Sequence, residues 1–401
     1  MSALFQASAW QRVQQVPHRA YFTAGVVSVL LLALWWSIAL PLAGVSAQPV
    51  YLVHGLLMPL GIFPPFMLGF IFTAGPKWLG AEPPAGHFAL AVGHVLGLLM
   101  CLLGFVAGSF WALLGLGVLF LVWWRATWLW YQCMHSAPTA DQRHARCILL
   151  AMMAGNVALM LVAAWVLSGD GEVWMLARDT LVWGWITPIF LTVAHRMIPF
   201  FTQAVIPQRA IWRPQLVLYG ALACCTLLVA GGLSQVAVLT FVAASVLTIG
   251  SAFVAWRWAG GQLRGACGGN RLLAMLHLSF AWLPVTFALL ALGAVGVNVG
   301  SAPWHAIGMG FCLTMMIGFV TRVTLGHSGR PLIASNIYWR LYLALHVLAA
   351  LRVVLALVMT TVPLSPHVLH LLAALWLLVL AVWACQVMPA YWQIRADGKA
   401  G

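Results

Sequence analysis

Long apolar runs, separated by short polar segments, follow one another along the whole of this chain. Each run is close to the roughly 20 residues that a helix needs to cross a hydrocarbon core. The runs lie near residues 21–40, 52–74, 88–108, 110–131, 147–167, 181–203, 215–233, 236–256, 272–293, 304–325, 338–361 and 366–388. This pattern predicts an all-α, polytopic integral membrane protein with about 12 transmembrane helices.

The third and fourth runs have the weakest boundary, because only the small residues Gly108 and Ser109 separate them. Prolines lie inside several runs, and the pair Pro64 and Pro65 in the second run is the strongest interruption. We expect these prolines to kink or break helices at places where protein or a cavity satisfies the freed backbone groups.

The amino-acid composition indicates that most of the chain consists of membrane helices. Of the 401 residues, 64% are apolar and 6% are charged, whereas about a quarter of the residues of a soluble domain carry charge. We therefore predict one transmembrane helical bundle over residues 1–401, with short cytoplasmic segments at 1–20 and 389–401. The formal charge of +13 comes from cations scattered between apolar runs, which indicates a lipid bilayer as partner and argues against nucleic acid.

Lysine and arginine are concentrated in alternate loops, and cytoplasmic loops carry these residues in excess. The N-terminal segment, the even-numbered loops and the C-terminal tail hold Arg12, Arg19, Lys77, Arg143, Arg146, Arg209, Arg213, Arg257, Arg264, Arg271, Arg330, Arg340, Arg395 and Lys399. The odd-numbered loops hold one cation, Arg178, beside Asp170, Glu172 and Asp179. The bias predicts that both ends of the chain are cytoplasmic. We also expect all six carboxylates to lie in loops or tails.

Thirteen histidines stand beside only six carboxylates, and several histidines fall in or at the ends of the apolar runs. Ionisable groups at membrane depth are costly and tend to be functional. We expect His54, His305, His367 and His370 at the periplasmic side, and His94, His195, His277, His327 and His346 toward the cytoplasmic side. Imidazole is a common ligand of iron and copper, but an ordinary hydrogen-bonded histidine stays the simpler interpretation of any single one.

Methionines Met58 and Met309 each follow a histidine of the outer group, His54 and His305, by four residues. This spacing places each pair on one helix face. Thioether and imidazole together suit Cu(I), with ordinary packing as the alternative.

Arg352 is the cation that the sequence places deepest in an apolar run. It follows Tyr338 by 14 residues, which corresponds to about 21 Å of helix. A buried cation needs an anion. A loop carboxylate could fold inward, the side chain could extend to the interface, or the propionates of a haem could supply the negative charge.

Several stretches resemble the NnrS family. Residues 305–310 read H-A-I-G-M-G, and residues 321–332 read T-R-V-T-L-G-H-S-G-R-P-L, which is similar to the long hallmark of that family. Further similar stretches are 72–78 (F-T-A-G-P-K-W), 196–202 (R-M-I-P-F-F-T) and 277–283 (H-L-S-F-A-W-L). One departure is at residues 54–57, which read H-G-L-L where many members read H-A-H-E. A site in this helix therefore depends on His54 alone.

The resemblance implies a haem- and copper-containing protein of the bacterial inner membrane, linked to nitric oxide, denitrification and relief of nitrosative stress. The reaction stays open, with a nitric oxide-related oxidoreductase as one candidate. The plan of twelve histidine-rich helices is also similar to that of haem-copper oxidases and nitric oxide reductases, whose second and tenth helices supply haem ligands. That similarity is one of plan and not of motif.

We predict that the protein binds nitric oxide at a non-covalent haem b, because no C-x-x-C-H motif is present for covalent attachment. The predicted haem ligands are His54 and His305, with Arg352 beside the propionates. A second metal, with copper as the candidate, is predicted at His195, His277 and His327, and His94 and His346 are alternatives. Arg322 and Arg330 are expected to cap carbonyl groups or to receive an anion.

Two other functions stay open at this point. A transporter or metal carrier would use the prolines and histidines within the runs as a pathway, but no carboxylate is expected there and no inverted repeat is visible. A quinol-linked electron-transfer subunit has no specific residue in its favour. The redox partner cannot be read from the chain.

Overall fold

The structure is a computed structural model, and it describes residues 8–43, 48–259 and 269–398. Within these ranges the chain is helical and contains no strand. Twelve of its helical stretches are long and apolar enough to cross a membrane, which confirms the prediction of an all-α polytopic protein. Arg264, Cys267 and Lys399 lie outside the described residues.

Sixteen α-helices and two π-helical segments, π1 and π2, make up the described chain. They are α1 (Ala9–Gln15), α2 (Pro17–Ala43), α3 (Gln48–Leu79), α4 (His87–Ala107), α5 (Ser109–His135), α6 (Arg143–Ser168), α7 (Gly171–Asp179), π1 (Thr180–Ile186), α8 (Thr187–Val205), α9 (Gln215–Ser234), α10 (Ala237–Ala259), α11 (Arg271–Phe280), α12 (Trp282–Ala294), α13 (Ala302–His305), π2 (Ala306–Leu313), α14 (Thr314–His327), α15 (Asn336–Val358) and α16 (Pro366–Trp392). The sixth span consists of α7, π1 and α8, and the tenth consists of α13, π2 and α14.

The uncertain boundary between the third and fourth spans is a tight glycine turn. Helix α4 ends at Ala107 and α5 begins at Ser109, and Gly108 between them has φ +101°. An L-residue with a side chain rarely adopts this conformation, so the glycine permits the reversal. The prolines of the second span do not interrupt it, because α3 is helical throughout with Pro59, Pro64, Pro65 and Pro76 inside.

The sixth span corrects the expectation that every carboxylate lies in a loop or tail. Asp170 caps α7 by accepting hydrogen bonds from the backbone amides of Glu172 and Val173. The helix consequently starts at Gly171, ten residues before the apolar run, and the expectation is wrong for Glu172 and Asp179. Asp179 is 6% exposed and pairs with Arg178 at 2.8 Å. The local cap, rather than hydropathy, decides where this helix begins.

The chain divides into two compact units, and each is described by itself. The first unit comprises residues 1–189, 323–331 and 380–401, and the second comprises residues 190–322 and 332–379. In the first unit α2 packs on α3, and α5 packs on both α4 and α6. In the second unit α10 packs on α9 and α12, and α15 packs on α13 and π2. A single bundle with both ends in the cytoplasm stays a prediction.

Three spans are far more enclosed by protein than the others. The buried share of the apolar window is 89% for the second span, 89% for the sixth and 83% for the tenth, and it is 61% or less for every other span. These three spans contain His54, His195 and His305, respectively. The sixth and tenth also contain π1 and π2, and π-helical segments are rare and often accompany functional sites.

Candidate functional site

The tenth span presents His305 in an orientation that suits a metal ligand. His305 ends α13 and precedes π2, and its Nδ1 lies 2.8 Å from the Ser301 carbonyl oxygen. A carbonyl oxygen only accepts hydrogen bonds, so Nδ1 carries the ring proton. The basic nitrogen is therefore Nε2, which matches the pattern of a metal-binding histidine whose other nitrogen donates to a backbone carbonyl.

Arg352 reaches the same turn from α15. Its Nη2 donates to the Ser301 hydroxyl at 3.3 Å, so the structure brings His305 and Arg352 to one residue. Helix α15 can approach α13 and π2 closely because the packed side chains are small: Ala302, Ala306, Val353 and Ala356 form a buried cluster. Small residues are the usual means by which helices in membranes approach each other closely.

The helix face that carries His305 has room beside it. His305, Gly308 and Met309 share this face by their spacing, and all three are half-buried. A Cβ added to Gly308 would meet no atom within 4 Å, whereas a Cβ on Gly310 would collide with the Trp282 indole. A haem would need space next to the histidine that holds it. The residues of this face, with Arg352 for the propionates, are compatible with haem, and its binding stays a prediction.

His54, the other predicted haem ligand, belongs to the first unit. Its ring stacks on the Trp36 indole with 3.8 Å between centroids and a 32° interplanar angle. The residue after it has no room for a side chain, because a Cβ on Gly55 would lie 2.9 Å from Trp174. The ring of Trp174 is held by a hydrogen bond from its Nε1 to the Leu52 carbonyl oxygen at 3.1 Å. Joint ligation by His54 and His305 stays a prediction.

Two of the predicted copper ligands are His195, which lies on α8, and His277, which lies on α11 and contacts α8 at Thr202. His195 Nε2 donates to the Pro214 carbonyl oxygen at 3.1 Å. His277 Nε2 lies 3.3 Å from Thr202 Oγ1, and that hydroxyl donates to the Ile198 carbonyl oxygen. Thr202 follows His195 by two helical turns, or about 10 Å. Joint ligation of copper by these two imidazoles stays a prediction.

The third predicted copper ligand, His327, lies in the first unit, where its ring is 4.6 Å from the ring of His18. The alternative His94 uses Nε2 to donate to the Gly61 carbonyl oxygen at 3.0 Å. Among the described residues, no group of three or more His, Cys, Asp or Glu side chains is arranged to hold a metal ion. The geometry consequently gives no support to a three-histidine copper site.

His346, the second alternative ligand, belongs to a polar network in the second unit that the sequence did not reveal. Its Nδ1 accepts a hydrogen bond from Trp282 Nε1 at 2.9 Å, so the neutral ring carries its proton on Nε2. Nε2 in that state has no lone pair for a metal. The Tyr342 ring lies 4.5 Å away, and its hydroxyl is 2.8 Å from Ser279 Oγ. Thr314 in the tenth span donates to Ser279 at 2.8 Å.

The two motif arginines have different surroundings. Arg322 is buried, and its guanidinium lies 4.0 Å above the centre of the Phe201 ring. Arg330 donates to the side chain of Gln393 at 2.9 Å. Other residues of interest that sequence reasoning missed are Asp179, Trp36 and Ser301. The sequence offered a signal only for Asp179, as the N-cap at Asp170.

Residues 12–395 match the family described as "NnrS protein". No curated protein and no solved structure matches the chain.

Proposed function

Because the chain belongs to the NnrS family, we propose that it is a nitric oxide-related membrane protein that holds haem b through His305. The observation that carries this proposal is the pair of hydrogen bonds on Ser301, one from His305 and one from Arg352. A histidine with a fixed tautomer can serve as a ligand of the haem iron. An arginine that reaches the same residue can pair with a haem propionate.

Each residue has a distinct part in this proposal. His305 offers Nε2 to the metal while its Nδ1 proton stays on the Ser301 carbonyl oxygen. Arg352 neutralises propionate charge at a depth where an unpaired anion would be costly. Gly308 leaves space beside His305, and the bulk of Trp282 closes the helix face at Gly310. When bound, haem b would supply an iron atom that can bind nitric oxide.

Haem ligation by His54, which belongs to the first unit, stays a prediction. The His54 ring is fixed by stacking on Trp36. The positions after it support a single ligand in this helix, because Leu56 and Leu57 are 2% and 6% exposed and offer no donor atom to a metal. Copper has no corresponding group of ligands among the described residues, so the proposal is confined to haem. We propose that the protein acts in the bacterial inner membrane and that it helps to relieve nitrosative stress.

Absorption spectroscopy of the purified full-length protein tests the proposal. Protein from haem-replete cells should show a Soret band, and His305→Ala should shift or abolish it. His367→Ala is the matched control, since His367 is an exposed histidine of the second unit. Colourless wild-type protein would refute the proposal. An unchanged spectrum of His305→Ala would remove His305 as the ligand.

A transporter is the second candidate, and Asp179 favours it. This carboxylate lies inside the sixth span, directly before π1, and is buried against Arg178. Ionisable pairs at membrane depth mark ion and substrate pathways in transporters. Uptake of metal ions into proteoliposomes that is lost in Asp179→Asn would support transport. Uptake equal to that of empty liposomes would exclude it for those ions.

A further inference from the structure

Two neighbouring residues in the first turn of α2 are buried although both are basic. His18 is 4% exposed and Arg19 is 2% exposed, and both belong to the first unit. Pro17 precedes them as the first residue of the helix, where proline is well tolerated. The N-terminus of a 27-residue helix adds its own positive partial charge at this point. Positive charge is thus concentrated where α2 begins.

Further basic groups of the same unit surround this turn. The His327 ring lies 4.6 Å from the His18 ring, at 49° to it. Lys77 and Arg395 also repel a positive charge on His18. These groups come from the end of α3, the end of α14 and the segment after α16. Four distant parts of the sequence therefore direct basic groups toward one place.

The C-terminal segment is held at this place by specific contacts with the motif of residues 321–332. The Ala396 amide donates to the Ser328 carbonyl oxygen at 2.8 Å. Arg395 pairs with Asp397 at 2.7 Å, and this contact raises the pKa of Arg395. Gly329 has φ +70°, and a Cβ there would lie 2.5 Å from Asp397. The basic groups are consequently held in position by the fold, not only by flexible side chains.

Buried polar atoms near this turn lack partners. Among the described residues, His18 Nδ1 and Arg19 Nη1 have no hydrogen-bond partner. The hydroxyls of Tyr21 and Thr73, about one helical turn from His18 and Lys77 respectively, are also buried without one. A buried polar group without a partner is destabilising because it has lost its hydrogen bonds to water. Their presence together indicates a ligand that accepts hydrogen bonds.

We propose that the first unit binds a phosphate-type oxyanion at His18, Arg19 and His327. A metal cation on the two imidazoles is disfavoured, because Arg19, Lys77 and Arg395 would repel it. A guanidinium group and imidazole N–H donors at a helix N-terminus are suitable hydrogen-bond donors for phosphate. The site lies at the ends of apolar spans, so the phosphate is either free in solution or part of an anionic phospholipid headgroup. The proposal is independent of haem at His305.

Thermal unfolding of the full-length protein in nanodiscs tests the site and separates the two sources. One arm adds inorganic phosphate to protein in neutral phosphatidylcholine, with chloride at equal ionic strength as reference. The other arm replaces part of the lipid with phosphatidylglycerol and adds no phosphate. A rise in the unfolding temperature in the first arm identifies free phosphate, and a rise in the second identifies the headgroup. No rise in either arm overturns the proposal.

Matched variants decide which residues bind. Arg19→Gln and His327→Gln should each weaken the apparent affinity for the anion by about 10- to 100-fold, the effect of a lost charge-assisted hydrogen bond. Arg146→Gln removes the same charge from an exposed position of the first unit and should leave binding unchanged. An equal loss of anion affinity in Arg146→Gln would overturn the proposal, since it would indicate only a general attraction of the anion to positive charge.

Two further measurements keep the proposal testable if Arg19→Gln does not fold. Arg19→Lys keeps the positive charge but loses the planar arrangement of guanidinium N–H donors. This variant should therefore bind phosphate more weakly than the wild type. Wild-type affinity in both Arg19→Lys and His327→Gln would overturn the proposal. Stabilisation by added Cu²⁺ that disappears in His327→Gln, without any response to phosphate or phosphatidylglycerol, would show that the imidazoles bind a metal instead.

Discussion

His305 and Arg352 meet at Ser301, where the imidazole donates to the carbonyl oxygen at 2.8 Å and the guanidinium donates to the hydroxyl at 3.3 Å. One residue thus orients both groups. The turn before it is tightly packed, because a Cβ on Gly300 would lie 3.0 Å from the Ala356 carbonyl oxygen and φ there is +52°. A change in either helix should therefore affect the proposed haem ligand His305 and the proposed propionate partner Arg352 together.

Arg352→Leu should lower the haem content of the purified protein strongly. Without the guanidinium, buried propionates would lose their partner, and breaking a buried ion pair typically costs about 3–5 kcal/mol. Arg352→Lys should retain more haem, because it keeps the charge. The haem-to-protein ratio after acid-acetone extraction measures both effects, and extraction should remove all pigment from a b-type protein. Full haem content in Arg352→Leu would contradict the assignment.

Gly310→Ala should destabilise the protein, whereas Gly250→Ala should not. The added methyl group at Gly310 collides with the Trp282 ring, and that at Gly250 in α10 meets no atom within 4 Å. Overpacking of this kind costs about 1–3 kcal/mol. The midpoint of thermal unfolding compares the two variants directly. Equal midpoints would mean that the contact between Gly310 and Trp282 is looser than the structure shows.

Gly329→Ala should lower stability more than Gly398→Ala. Both glycines have positive φ, +70° and +68°, so the backbone strain is matched. Only Gly329 also faces Asp397, whereas a Cβ on Gly398 would meet no atom within 4 Å. Unfolding midpoints of the two variants isolate the contact of the motif with the C-terminal segment. A larger loss for Gly398→Ala would contradict that contact.

Asp179→Asn and Arg178→Leu should each be destabilising by about 1.5–3 kcal/mol, the usual range for a lost hydrogen bond to a charged group. The double variant Arg178→Leu/Asp179→Asn should lose less stability than the sum of the single changes, because it leaves no unpaired charge. A double-mutant cycle on unfolding free energies measures this coupling. Simple additivity would show that Asp179 has a more important partner than Arg178.

Reporter fusions test the orientation that the positive charges predict. Fusions after Asp170 and Ser301 should report the periplasm, and fusions after Glu82 and Arg143 should report the cytoplasm. The structure places all four positions at the ends of spans or between them. A cytoplasmic signal from Asp170 would overturn the span assignment from the fifth span onward.

The apolar pattern alone determined that the chain is all-α and crosses a membrane twelve times. A bilayer requires about 20 apolar residues per helix whatever the neighbouring helices are, so this property can be read from each segment separately. Local chemistry also determined some helix ends, such as the glycine turn at Gly108. The start of α7 was missed because charged residues occupy its first turns, although the cap at Asp170 signals it. The sequence motifs, above all that of residues 321–332, were likewise sufficient to identify the family.

Tertiary structure decided which polar residues meet. The sequence placed His305 and Arg352 at similar depth, but only packing of α15 on α13 brought both to Ser301. The sequence grouped His195, His277 and His327 by depth, but the structure gives each imidazole a different neighbour, namely Pro214, Thr202 and His18, respectively. Nothing in the chain near His18 foretold its contact with His327, since residues so far apart in sequence are joined only by the way helices pack.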